Sequence, residues 1–222
     1  KITCPTEELL YKIKNENIFY IDKLYFLQDA ILNLDNFKKS EKFKIKKLEK
    51  KIILSAGRLT HQKNYKYLIN EYSKFLKYSN DFDLVILGDG EEKKNLSDLI
   101  NKLNLKDRVH LIGRVSNVYD YMQNSDIFVL SSLWEELGFV IVESAFKNLF
   151  IISSNCPNGP KDFIEDDNCG ILFESNKQDS LKEALVNFDK SKDILNKKIN
   201  AKKKSLNYSK FRHHLKLYKV LS

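Results

Sequence analysis

Six short apolar runs, separated by stretches of helical period, decide what this chain can fold into. They are KIILSA (from Lys51), FDLVILG (from Phe82), RVHLIG (from Arg108), DIFVLSS (from Asp126), LFIISS (from Leu149) and GILF (from Gly170). A strand with one wet face alternates apolar and polar residues. These runs do not, so each predicts a strand covered on both faces. Between them, Leu68, Ile69, Tyr72, Phe75 and Leu76 keep helical period after Asn64, a candidate cap, and Leu96, Leu99, Ile100 and Leu103 do the same. Val118, Tyr121 and Met122 mark a short helix, a further helix carries Glu143, and DSLKEALVNF another. Alternating strands and helices with right-handed crossovers predict an α/β fold, a doubly wound parallel sheet of Rossmann-like type, over residues 51–189.

The ends read differently. KITCPT predicts a strand, EELLYKIKNENI a helix and KLYFLQDAIL a second strand, so residues 1–37 look like the end of a preceding α/β unit with a linker. Residues 38–50 form a basic linker, and 190–222 predict two basic helices broken near Asn207.

Charge looks at first like a nucleic-acid signal, with a net +8 over 222 residues. Mapping it removes that reading. Residues 190–222 hold eleven Lys/Arg and one acid, Asp193, whereas the remaining 189 residues carry a net −2. The body is therefore near neutral, and no nucleic-acid partner is expected. Cys4, Cys156 and Cys169 are scattered, and His61, His110, His213 and His214 lack metal-ligand spacing, so neither a disulfide framework nor a metal site is expected. No apolar run approaches the ~20 residues of a span, and the scattered cysteines make a reducing cytoplasm the expected location. The basic tail is a candidate for peripheral contact with an anionic inner membrane face.

In an open parallel sheet, ligands bind beyond the carboxyl ends of the strands. Five loops gather there: GRLTHQKN, GDGEE, GR (Gly113, Arg114), LWEELG and NCPNGP. SSLWEELGFVIVESA sets Glu135 and Glu143 on either side of Gly138, at which a helix is expected to begin. Free N–H groups at that helix start suit a phosphate, so the backbone of Gly138, Phe139 and Val140 is a candidate phosphate cradle. Glu143 is then placed to accept hydrogen bonds from a ribose diol, and Glu135 to meet the group beyond the diphosphate. Arg58 and Lys63 would neutralise the phosphates and stabilise them as they leave.

GRLTHQKN, WEELGFVIVESA and SSNCPNGPKDFI together resemble the donor-binding half of GT-B glycosyltransferases of the retaining family 4 type. The likeness covers about residues 51–175 closely, and 1–37 weakly resemble the tail of the acceptor domain. It implies that Arg58 and Lys63 bind the donor diphosphate, that Glu135 meets the sugar and Glu143 the ribose. Arg58, Lys63 and Glu135 are then the catalytic candidates, and Gly57, Gly88, Gly113, Arg114, Gly138, Phe139, Val140 and Glu143 complete the donor site. The implied reaction moves a sugar, with retention and without metal or cofactor, from a nucleotide-sugar to a glycan or lipid-linked acceptor. NCPNGPKDF resembles bacterial surface-polysaccharide transferases, which suggests a UDP-sugar. One departure is Glu136, where the family commonly has Gly; it leaves the sugar's identity open. With one complete domain in view, this chain is expected to bind donor but transfer little. The alternatives are an epimerase or phosphorylase of the same fold, a basic nucleic-acid binder, and an NAD site, for which LGDGEE lacks a third glycine.

Three smaller expectations complete the reading. Asp81 and Asp83 of DFD imitate a metal-binding pair but are expected in a turn before their strand. Trp134 is expected to pack, and Cys156 and Cys169 to be plain core or loop residues.

Overall fold

The computed structural model describes residues 1–16, 21–32, 50–164 and 168–222. Residues 33–49 lie outside the described residues, and with them all of the basic linker (38–50) except Lys50. Two strands come first, β1 (Ile2–Cys4) and β2 (Leu24–Phe26), joined through α1 (Glu7–Asn15). Six follow: β3 (Lys51–Ala56), β4 (Phe82–Leu87), β5 (Val109–Gly113), β6 (Ile127–Leu130), β7 (Phe150–Ser154) and β8 (Ile171–Phe173). They form one parallel sheet in the order β5-β4-β3-β6-β7-β8. This is the doubly wound Rossmann order, and its direction reverses between β3 and β6.

The strands are apolar throughout because both faces are covered. Alternate residues of β3 separate into two cores: Ile53 faces one side, Ile52 and Leu54 the other. On the first face lie α2 (Tyr65–Phe75), α3 (Lys93–Lys102) and α7 (Ser180–Lys190), contributing Leu68, Tyr72, Phe75, Leu96, Leu185 and Phe188. On the second lie α4 (Val118–Gln123), α5 (Phe139–Phe146), α6 (Pro160–Ile164) and α8 (Ile194–Ser205). The basic α8 therefore does not hang free: Ala201 is fully buried beside Ile141, Ala145 and Phe163.

The last helix, α9 (Lys210–Leu221), turns back to the start of the chain. Leu32 bridges to Ser209, His213 Nδ1 lies 2.6 Å from the Gln28 carbonyl oxygen, and Lys1 donates to the carbonyls of Val220 and Leu221. That ammonium sits at the negative end of the helix dipole. β1 and β2 pair with each other in parallel and not with the larger sheet.

Several expectations need correction. The second strand spans Leu24–Phe26 rather than the whole of KLYFLQDAIL. Asn64 stands at the N-cap of α2 but in the left-handed region (φ 52°), and its side chain caps nothing. Asp83 lies inside β4, not before it: buried, it accepts from Arg108 Nε at 2.7 Å, a structural ion pair at the amino end of the strand. Trp134 is 48% exposed rather than packed into the core, with its ring tilted against that of His61 at 6.2 Å between centroids. Cys4, Cys156 and Cys169, by contrast, are buried and none is in a disulfide, as plain core or loop residues would be.

Candidate active site

The loops after β3 and β6 flank the switch point and are sewn together. Gln62 accepts from the Leu133 N–H at 2.8 Å through its carbonyl and donates to the Trp134 carbonyl at 2.8 Å through its side chain. Ser131 Oγ donates to the Lys63 carbonyl at 2.8 Å. These bonds set two predicted residues side by side. Lys63 and Glu135, each expected to meet a different part of a ligand, are ion-paired with one another. Ser132 Oγ adds a second donor to the same carboxylate oxygen at 2.6 Å. Glu135 is only 8% exposed, so this neutralisation is what allows a carboxylate there.

The NCPNGP loop holds Glu135 from behind. The Glu135 N–H donates to the Pro157 carbonyl at 3.4 Å, and Asn158 Nδ2 donates to the Glu135 carbonyl at 3.0 Å. A Cβ on Gly159 would stand 2.3 Å from Leu137 Cα, so only glycine lets the two loops touch.

Gly138 caps α5 with φ 71° and turns the chain into the helix. One turn on, Glu143 accepts a hydrogen bond from the Tyr119 hydroxyl at 2.6 Å. Burial pushes the Glu143 carboxyl above its ordinary value of 4.5, and the Tyr119 bond partly offsets that. Tyr119 lies on α4, where nothing in its sequence spacing pointed to a carboxylate partner.

The cleft bounded by these loops has a volume of about 440 Å³. Gly57, Arg58, Lys63, Glu135, Gly138, Phe139, Val140 and Glu143 all line it, with Gln62, Glu136 and Leu137. Arg58 is exposed at its mouth. A second cleft of about 500 Å³ adjoins it through Ala56, Gly57 and Arg58, and holds Gly88, Asp89, Arg114, Val115 and Val118. Gly113 lines neither. Its carbonyl accepts the Gly88 N–H at 2.8 Å, and a Cβ there would meet nothing within 4 Å. The reason for Gly88 also differs from the expected one. A Cβ there would lie 1.9 Å from the Gly57 carbonyl oxygen, so the close approach is between two loops of the chain. Among the described residues, no group of three or more His, Cys, Asp or Glu could hold a metal ion.

A raised carboxyl pKa carries a sign. The folded state holds its proton more tightly than the unfolded one, so Glu143 costs stability as pH rises from 4.5 through its higher folded value. Glu143→Gln is therefore expected to melt above the parent at neutral pH and together with it in acid. Equal melting temperatures at both pH values would show that the carboxyl is not strained by burial.

A six-stranded sheet in Rossmann order, with paired cations and carboxylates at its switch point, defines a nucleotide-type α/β domain of the GT-B kind. The model described as glycosyl transferases group 1 matches residues 36–205, and the chain belongs to that family as its C-terminal, donor-binding type of domain. An uncharacterized glycosyltransferase of Methanocaldococcus jannaschii is 35% identical over 148 residues, covering 67% of this chain and 35% of that protein. A Campylobacter jejuni protein, named N-acetylgalactosamine-N,N'-diacetylbacillosaminyl-diphospho-undecaprenol 4-alpha-N-acetylgalactosaminyltransferase, is 35% identical over 138 residues, 62% of this chain and 37% of its own. A glycosyltransferase structure from Rickettsia africae superimposes with a TM-score of 0.83 at 20% identity, covering 100% of this chain and 64% of that one. Anabaena HepE in complex with UDP gives 0.83 at 15%, covering 99% and 62%. The chain thus spans little more than a third of the two curated relatives.

Proposed function

We propose that this domain binds the nucleotide-sugar, a UDP-sugar, of a retaining glycosyltransferase whose acceptor is a glycan or lipid-linked sugar of a bacterial surface polysaccharide. The observation that carries the reading is the convergence of Arg58, Lys63, Glu135 and Glu143 on one cleft at the start of α5. The Campylobacter relative's name, with its undecaprenol diphosphate, and the UDP in the Anabaena structure support the choice of acceptor and donor.

In this reading the diphosphate lies across the start of α5, with Arg58 and Lys63 on its other side. Glu143 accepts from the ribose hydroxyls and Glu135 from the sugar. The acceptor hydroxyl oxygen bonds to the anomeric carbon as the bond from that carbon to the phosphate oxygen breaks. The leaving phosphate takes the hydroxyl proton. The protein contributes position and fixed positive charge, and no metal is required.

Calorimetric titration tests it. The chain is expected to bind UDP, unaltered by EDTA, and Arg58→Ala is expected to weaken UDP while sparing uridine, by ~1.5–3 kcal/mol for a lost charge-assisted bond. Equal losses for UDP and uridine would remove Arg58 from the phosphates. Loss of UDP binding in EDTA, restored by a divalent ion, would refute the metal-free reading.

A further inference from the structure

The two carboxylates of the cleft are held in different ways. Glu135 is ion-paired with Lys63, so its charge is already balanced within the chain. Glu143 is held by a neutral group, the Tyr119 hydroxyl, which donates to its Oε1 at 2.6 Å. Among the described residues this is the one bond its side chain makes, so Oε2 is left to a ligand. Burial pushes the Tyr119 hydroxyl well above its ordinary value of 10, and its bond to Glu143 raises it further, so it keeps its proton and acts as the donor. An ionised carboxylate only accepts hydrogen bonds, whereas a protonated one turns part of that capacity into a donor. A bond to the ionised form favours that form, against the burial that opposes it. The hydroxyl thus keeps Glu143 an acceptor and fixes its direction, without a cation that would compete with a ligand.

We propose that Tyr119 is a positioning residue for nucleotide recognition: through its hydroxyl it presents Glu143 to the ribose diol in one orientation. This rests on the reading of Glu143 as the ribose acceptor and adds what makes it one. Ribose hydroxyls are neutral donors, and their bonds to a charged acceptor are the strong kind. A carboxylate tied to a lysine, as Glu135 is, has less of that charge to offer. Placement agrees with the role. Glu143 lines the first cleft, and Val118, the neighbour of Tyr119, lines the second, so the bond joins a wall of one to a wall of the other. The ring has packing of its own, with Lys147 lying 5.9 Å over it. Removing the hydroxyl therefore leaves the ring's contacts in place.

The test is calorimetric titration with UDP and with a UDP analogue whose ribose lacks both hydroxyls. The parent is expected to bind UDP more tightly than the analogue. Tyr119→Phe is expected to weaken UDP about three- to tenfold, the size of one hydrogen bond, and to leave the analogue unchanged, which also shows the variant folded. In a Glu143→Ala background the same change is expected to have no further effect on UDP, because its route to the ligand is gone. If Tyr119 served folding alone, UDP and the analogue would weaken together, or its loss would add to that of Glu143→Ala. Either result overturns the proposal. A preference for UDP that survives Tyr119→Phe but is lost in Glu143→Ala overturns it while keeping the ribose reading. A parent that binds UDP and the analogue alike overturns the ribose reading and the proposal with it.

Discussion

Lys63→Met is expected to cost about 3–5 kcal/mol of folding stability, read as a fall in the urea midpoint at unchanged slope. The lysine is the counter-ion of a carboxylate that is 8% exposed, and removing it leaves that charge uncompensated in a site from which water is largely excluded. Ser132 still donates to the same oxygen, which places the effect toward the lower end. Lys63→Met/Glu135→Gln is expected to recover most of the loss, since it removes both charges and keeps the shape, and the difference between single and double variants measures their coupling. The same cycle separates structure from ligand binding. If Lys63 only awaited a phosphate, the single variant would melt with the parent, and the pairing would not exist in solution.

Gly88→Ala should be the most damaging single methyl group in the site. Its Cβ would sit 1.9 Å from the Gly57 carbonyl oxygen, at φ 137°, and backbone stands on both sides of the clash. Neither loop can swing aside as a flexible side chain would. We expect a loss of about 3 kcal/mol or more, from strain and overpacking together. UDP binding should be lost with it, because Gly57 and Arg58 form walls of both clefts. Gly113→Ala is the control: its φ is 88°, but nothing lies within 4 Å, so about 1 kcal/mol is expected. Comparable losses at the two positions would mean that the loops part freely.

The sheet was legible because its signal is redundant. Each strand is apolar on both faces and each helix has its own stripe, so no single residue had to be read correctly. The cleft residues were legible because they cluster at strand ends. What could not be read were pairings across distant stretches. Lys63 and Glu135 are 72 positions apart, and no local pattern says that they neutralise each other. Tyr119 and Glu143 sit on different helices and meet only because α4 and α5 share one face of the sheet. Gly88 looked like a ligand's glycine because a backbone approach leaves the same trace in sequence whether the visitor is a ligand or another loop. Asp83 was misplaced for a related reason: a charge at a strand's first turn reads as a loop residue until Arg108 is seen beside it.

The seam between the loops has a thermodynamic consequence. Bonds donated by Gln62, Ser131 and Asn158, and one accepted by the Pro157 carbonyl, with glycines at Gly88 and Gly159, fix the walls of the cleft during folding. The entropy of ordering those walls is lost then, not when a ligand arrives, which raises the affinity that a given set of contacts can deliver. A ligand that fits the walls as they stand therefore meets a smaller ordering cost than one that would require these bonds to break.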